Sequence, residues 1–421
     1  MANKWLTFAV SGGILATAAL SLVISVTSET RTADTTPILD LPRIDWEGGP
    51  AYWAQFPATE KWDRPDFFPV AIWFNGISSL EEARFDKAHG VNTYMGMYEG
   101  TDFGLFEASG QYWIGGPLKN ASPSSPNWVG NLLDDEVDGR FTPEEGRAHL
   151  QALVDQYKGN GKPNYANFTQ LVISQDMDQL DAQRYVNDFT DIVSMDMYWY
   201  TIPFCNLQPY RANYLIDTPQ ATCRTSRSYG RSMEMLAMQD AADGKRQPLW
   251  NFVEFISGGP AEGTNNPQVT PQQQKGAVMA SIVNEARGIV WFNTTFSGSC
   301  EGGTLRLAQV QGPGSCAWPY AESLKEVNNQ IHMLAPVINT QSYKWEFGPD
   351  LDTMLKVHDG YVYIFAMTEG TDGTRSFALP AGIKGQSVEV LFEGRQIPIR
   401  ENGFVDSFER ESSYHIYKIK L

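Results

Sequence analysis

The chain has 421 residues, of which 42% are hydrophobic and 19% charged, the make-up of a globular protein long enough for two domains. Asp and Glu total 49 against 32 Lys and Arg, a formal charge of −17 that repels phosphate backbones and argues against a nucleic-acid partner. Aromatic residues reach 12%, a supply of flat apolar faces suited to stacking on a ligand.

Residues 1–28 read as a signal peptide or an N-terminal anchor. Lys4 precedes an apolar run from Trp5 to Val26, and small residues follow at Thr27-Ser28 and Ala33. Any contact with a membrane is expected only through this segment, if it stays uncleaved. The body of the protein is expected to be secreted or held at the cell surface. Residues 29–50 read as a polar linker.

From there, apolar runs alternate with helical patterns. Phe67–Asn75 is the first predicted strand, followed by a helix that opens on Ser79-Leu80-Glu81-Glu82 and ends at Gly90. Val91–Tyr98, Tyr112–Leu118 and Trp128–Glu136 are the second, third and fourth strands. Thr142-Pro143-Glu144-Glu145 then starts a helix with a cap residue and proline in its first turn. Phe168–Ser174 is the fifth predicted strand and Ile192–Tyr200 the sixth, with helices after them near Asp178–Phe189 and Ser232–Ala242. Pro248–Phe255 is the seventh, followed by a capped helix from Thr270 to Arg287, and Gly288–Thr294 is the eighth. Eight strand-then-helix units predict an α/β fold, a (β/α)8 TIM barrel over residues 51–340. An open doubly wound sheet would carry a glycine-rich phosphate loop after its first strand, and Phe74-Asn75-Gly76-Ile77 is not one.

Over residues 341–421 the helical period disappears. Short strand-like runs are punctuated by Asp359-Gly360, Asp372-Gly373 and Asn402-Gly403, which predicts a small all-β sandwich. Cys205, Cys223, Cys300 and Cys316 form an even set in an exported chain, for which disulfides are the expectation. Three connectivities exist. Neighbour pairing, Cys205 with Cys223 and Cys300 with Cys316, is preferred because it closes two loops rich in Gly, Pro and polar residues. Zinc ligation would need closer cysteine spacing or histidine partners.

A barrel of this type brings the C-terminal strand ends to one mouth. The fourth strand ends in Asp134-Asp135-Glu136, with Asp138 just beyond, and the seventh ends in Glu254. Tyr198 closes the sixth, while Trp291 and Asn293 close the eighth. Trp73 ends the first and Tyr98 the second. None of the five histidines falls at a strand end, so a nucleophile activated by imidazole lacks its base. No metal and no cofactor is expected. Paired carboxylates remain, and they suit cleavage of a glycosidic bond, one protonating the leaving oxygen while the other attacks the anomeric carbon.

Glutamates closing both the fourth and the seventh strand resemble the pattern of the clan A retaining glycoside hydrolases. The resemblance covers about Phe67 to Phe296, and the sandwich resembles the C-terminal domain that many members carry. It implies a retaining double displacement on a poly- or oligosaccharide, with Glu136 as acid/base and Glu254 as nucleophile. It also implies that Tyr198 hydrogen-bonds the nucleophile and that Trp291 floors the sugar subsite. Asp135 stands where the clan usually has the Asn that holds the sugar 2-hydroxyl. Trp73, Tyr98 and Asn293 complete the expected substrate-binding set. Two other readings stay open: a non-catalytic carbohydrate-binding surface protein on a degenerate barrel, and a glycosidase pairing the strand-four carboxylates with Asp196 of strand six.

Overall fold

A computed structural model of the protein describes residues 39–96, 100–201, 213–219, 222–255, 268–296 and 300–421. Eight parallel strands close into a barrel: β1 Val70–Trp73, β2 Thr93–Met95, β3 Tyr112–Ile114, β4 Trp128–Asp135, β5 Asn164–Phe168, β6 Ile192–Met195, β7 Leu249–Glu254 and β8 Gly288–Phe292. The ring shuts where β1 pairs with β8, Val70 opposite Ile289 through Trp73 opposite Phe292.

Around it lie α1 Leu80–Ala88, α2 Gly104–Ser109, α3 Pro143–Tyr157, α4 Gln179–Asn187, α5 Ser226–Asp240, α6 Pro271–Val283, α7 Thr304–Gln311 and α8 Trp318–Ile338. The capping chemistry written in the sequence sets several of the starts. The Ser79 hydroxyl accepts from the Glu82 N–H, and Thr142 with Glu145 and Thr270 with Gln273 form reciprocal capping boxes. Gly90, at φ +82°, releases the chain from α1 in a left-handed conformation that suits glycine.

Strand residues alternate between two buried layers. Ala71, Trp73, Val129, Tyr165, Trp250, Phe252 and Val290 fill the barrel interior, whereas Ile72, Val193, Val253 and Ile289 pack outward under the helices. Trp62 plugs the end where the strands begin, stacked 4.7 Å from Phe67 and 6.3 Å from Trp250. The opposite end holds the polar residues.

The fifth strand lies earlier than its predicted span. Asn164–Phe168 forms it, and Gln170–Ile173 is a 3-10 turn capped by the Thr169 hydroxyl. The apolar residues Val172 and Ile173 made the later segment look like a strand, yet they pack in the layer under the helices. Asn167, which made the true strand look polar, faces an interior hydrogen-bond network.

The C-terminal region is two antiparallel layers. One sheet runs in the order Arg43–Ile44, Ser342–Tyr343, β9 Leu351–His358, β10 Tyr361–Thr368, β15 Tyr414–Lys420, β12 Ser387–Val390, β13 Arg395–Pro398. The other pairs β11 Gly373–Ala378 with β14 Gly403–Phe408. Val362, Ile364, Phe377, Val388, Phe404 and Tyr417 fill the space between them, with Phe377 and Phe404 stacked at 4.5 Å. The alternate residues Tyr363, Phe365 and Met367 join the core beneath the barrel helices instead. Chain from the predicted linker therefore enters this sheet, Arg43 opposite Tyr343.

Cys300 and Cys316 form a disulfide across the segment containing α7. Cys223 is also disulfide-bonded, and Cys205 lies outside the described residues.

Candidate active site

The fourth strand delivers its carboxylates through a break in register. Leu132 lies opposite Tyr165 but Asp135 lies opposite Asn167, so three steps on β4 match two on β5. Such a bulge turns the residues beyond it to the other face. Asp134 consequently points out of the barrel, 2.6 Å from both Arg140 and His149. Asp135 points in and accepts a 2.9 Å hydrogen bond from Asn167 Nδ2. Asn167 Oδ1 in turn accepts from Ser194, which is 2.5 Å from the Tyr165 hydroxyl.

Glu136 follows at φ +50°, a left-handed conformation rare outside glycine, where the strand hands over to the turn Val137–Arg140. Asp138 is spoken for. Its carboxylate takes the Thr169 N–H at 3.0 Å and the Thr169 hydroxyl at 2.7 Å, tying the end of β4 to the end of β5.

The sixth strand contributes by alternation. Ser194 on β6 faces inward, and the alternation carries on just past the strand end to Asp196 and Tyr198, while Val193, Met195 and Met197 pack outward. The Asp196 carboxyl lies within hydrogen-bonding reach of Glu136, and burial with the nearby charges of Glu136 and Asp135 pushes it well above the usual carboxylate range. Asp196 Oδ1 and the Tyr198 hydroxyl are buried and have no hydrogen-bond partner among the described residues. Burial, followed by the charges of Asp196, Glu254, Asp135 and Glu136, pushes the Tyr198 hydroxyl well above its usual range.

On the seventh strand Glu254 has no solvent exposure. Its Oε1 accepts a 2.6 Å hydrogen bond from the Tyr229 hydroxyl on α5 and a 3.4 Å one from Thr201. Oε2 has no partner among the described residues. Burial pushes the carboxyl up to about 7, with the Tyr229 hydrogen bond holding it down against that trend. Burial likewise lifts Asp135 to about 6, helped by the charge of Glu136 and opposed by Asn167. The site is therefore a carboxyl cluster in which desolvation outweighs hydrogen bonding.

Two expectations are corrected. Tyr198 does not hydrogen-bond Glu254; Tyr229 does, reaching in from the helix rather than from a strand end. Trp291 does not floor the mouth either. It is fully buried on the outer face of β8, its indole N–H 3.1 Å from Asn328 Oδ1 on α8 and its ring 5.2 Å from Phe255. Strand parity puts Val290 and Phe292 inside instead, and the Phe292 ring lies 5.3 Å from Tyr198. That parity was readable from the sequence once the strand start was fixed.

Trp73 lies in the interior layer, 5.4 Å from Phe252, beside the half-exposed Phe74. Asn293 is buried and structural: its Nδ2 donates to Asn75 at 2.8 Å and its Oδ1 accepts from the Leu305 N–H at the start of α7. Tyr98 lies outside the described residues.

All five histidines are described, and none joins this cluster. His89 and His332 bond main-chain carbonyls, His149 bonds Asp134 outside the barrel, and His358 and His415 belong to the C-terminal sheet. Among the described residues no group of three His, Cys, Asp or Glu side chains is placed to hold a metal ion.

No protein-family model matches the sequence, and no curated protein matches it. Among solved structures the chain is similar to a GH30 endoxylanase from Clostridium papyrosolvens C71, at 11% identity and a TM-score of 0.45 over 84% of this chain and 97% of that one. It is also similar to AbfB, a family 51 α-L-arabinofuranosidase from Bifidobacterium longum, at 11% identity and a TM-score of 0.48 over 84% and 96%. A third is Eubacterium rectale Amy13B, at 10% identity and a TM-score of 0.49 over 85% and 96%. At such values the likeness is one of architecture, and no residue takes its role from it.

Proposed function

We propose that the protein is an exported glycoside hydrolase that cleaves a poly- or oligosaccharide by a retaining double displacement, with Glu254 as nucleophile and Glu136 as acid/base. The observation that supports the reading is a fully buried Glu254 closing β7, with Oε2 unpartnered among the described residues, and Glu136 directly after β4 at the same end of the barrel. Carboxyls arranged in this way, without an imidazole among them, fit glycosidic chemistry better than acyl transfer.

The parts divide as follows. Tyr229 and Thr201 pin Glu254 Oε1, leaving Oε2 free to bond the anomeric carbon. As that bond forms, the glycosidic C–O bond breaks and Glu136 passes a proton to the leaving oxygen. In the second half Glu136 takes a proton from water, the water oxygen bonds the anomeric carbon, and Glu254 departs. Asp196, whose carboxyl lies within hydrogen-bonding reach of Glu136, is a positioning residue for that transfer.

The pairing of Glu136 with Asp196 as the two catalytic groups is disfavoured by their contact. Carboxyls that flank a scissile bond stand roughly 5–5.5 Å apart in retaining enzymes and further in inverting ones. Product stereochemistry by proton NMR tests the mechanism: the first anomer released is the retained one, and an inverted anomer excludes the double displacement. Residues 1–28 act in this reading as the export signal or anchor, and mass spectrometry of the native N-terminus decides between the two.

A further inference from the structure

Three polar atoms at the barrel mouth have no partner among the described residues: Asp196 Oδ1, Tyr198 Oη and Glu254 Oε2. They belong to side chains just beyond the end of β6 and at the end of the neighbouring β7, and Tyr198 and Glu254 are only 5% and 0% exposed. A buried oxygen left unpaired costs stability, so folds retain such groups where a ligand satisfies them. Two of these are carboxyl oxygens, and the charges of Asp135 and Glu136 act with those of Asp196 and Glu254 on the Tyr198 hydroxyl. Two cations act on these carboxyls from the edge: Arg140, which bridges Asp134, lowers Asp135, and Arg224, which donates to the carbonyls of Trp199 and Tyr200, feels the charge of Glu254.

Resting on the glycosidase reading above, we propose that the sugar unit held at this mouth carries a free ammonium group, making the substrate an oligomer or polymer of unacetylated amino sugars. An ammonium has three N–H donors and no acceptor, and it adds positive charge beside Asp135, Asp196 and Glu254, carboxyls that burial holds above their usual range. Set on the carbon next to the anomeric centre, its donors reach Asp196 Oδ1 and Tyr198 Oη, and its charge lies beside Glu254 Oε2 while that atom faces the anomeric carbon. A sugar hydroxyl supplies one donor and no charge. A uronic acid or sulfated sugar adds a fifth negative group. A metal ion lacks three placed ligands among the described residues. The formal charge of −17 on the whole chain acts in the same direction, drawing a polycationic glycan toward the surface.

The test compares glucosamine and galactosamine oligomers with their N-acetylated, neutral and uronic counterparts on the purified protein, reading binding by calorimetry and reducing-end release together. The expected result is at least a tenfold preference for the unacetylated oligomers, shrinking to under threefold in a folded Asp196→Asn variant. If that variant does not fold, chemical N-acetylation of the same oligomer makes the comparison on wild-type protein. Neutral or N-acetylated glycans cleaved equally well, with loss in Glu254→Gln, overturn the ammonium proposal and leave the glycosidase standing. Amino sugars bound tightly while no glycan in the panel is cleaved keep the ammonium site and remove the glycosidase. No binding and no cleavage across the panel overturns both.

Discussion

The hydroxyl of Tyr229, on helix α5, donates a 2.6 Å hydrogen bond to Oε1 of Glu254 at the end of β7. Hydrogen bonds to an ionised group contribute about 1.5–3 kcal/mol, so Tyr229→Phe is expected to lower kcat/KM on the order of 10- to 100-fold. It also removes a group that holds the Glu254 carboxyl down from a value of about 7. The acid limb of the kcat/KM profile should therefore move to higher pH. A loss of activity that is equal at every pH would show that Tyr229 only supports the fold.

Glu254 titrates at about 7 in the folded protein against a reference of 4.5, so folding favours its protonated form. Its contribution to stability is intact below pH 4.5 and is lost as pH rises through about 7, a difference of roughly 3 kcal/mol. Glu254→Gln, a neutral isostere, is expected to melt above the wild type at pH 8 and level with it near pH 4. Asp135 and Asp138, both raised to about 6 chiefly by burial, add to the same trend. Thermal melts of both proteins across that range check the sign; a variant less stable at pH 8 contradicts it.

Asp138 and Glu136 lie two residues apart and should separate cleanly. Asp138 binds the Thr169 N–H and hydroxyl, so Asp138→Ala is expected to cost about 1–3 kcal/mol in urea unfolding. Glu136→Gln should stay within about 0.5 kcal/mol of wild type and abolish turnover of substrates with poor leaving groups. A destabilised but fully active Glu136→Gln would reverse the two roles.

The C-terminal domain reaches the site through Glu411. Its Oε1 accepts from the Tyr200 hydroxyl and its Oε2 from the Ser226 N–H, both at 2.8 Å, capping the first turn of α5. Tyr200 packs 5.5 Å from Tyr229, the residue that fixes Glu254. Glu411→Ala is thus expected to destabilise by about 1–2 kcal/mol and to lower activity several-fold, although the substitution lies in the other domain. Unchanged kinetics would confine the domain to a purely structural part.

What could be read from the sequence was local or periodic. Ser79, Thr142 and Thr270 announced their helices because a cap acts on residues three positions away. The eight-unit alternation announced the barrel and, with it, the position of Glu136 and Glu254 at the C-terminal ends of two strands. What stayed hidden depended on partners distant in the chain. The bulge that sends Asp134 outward and Asp135 inward is a matter of register between β4 and β5, and a single strand carries no sign of it. Asn167 disguised β5 because an interior polar residue mimics a loop. Trp291 attracted a binding role by its type, while its parity with the outward-facing Ile289 assigned it to the helix layer. Tyr229 lies in the first turn of α5, ahead of the helix predicted from Ser232, where nothing marks one tyrosine as reaching a carboxylate 25 residues later.

The most direct test of the central claim is reducing-sugar release from a broad glycan panel, amino sugars included, by wild-type protein beside Glu254→Gln. Glycosidase action centred on the ends of β4 and β7 predicts cleavage of at least one glycan by the wild type and its loss, by at least a thousandfold, in the variant. Cleavage that survives intact in folded Glu254→Gln contradicts the account and moves the chemistry to the strand-four carboxylates and Asp196.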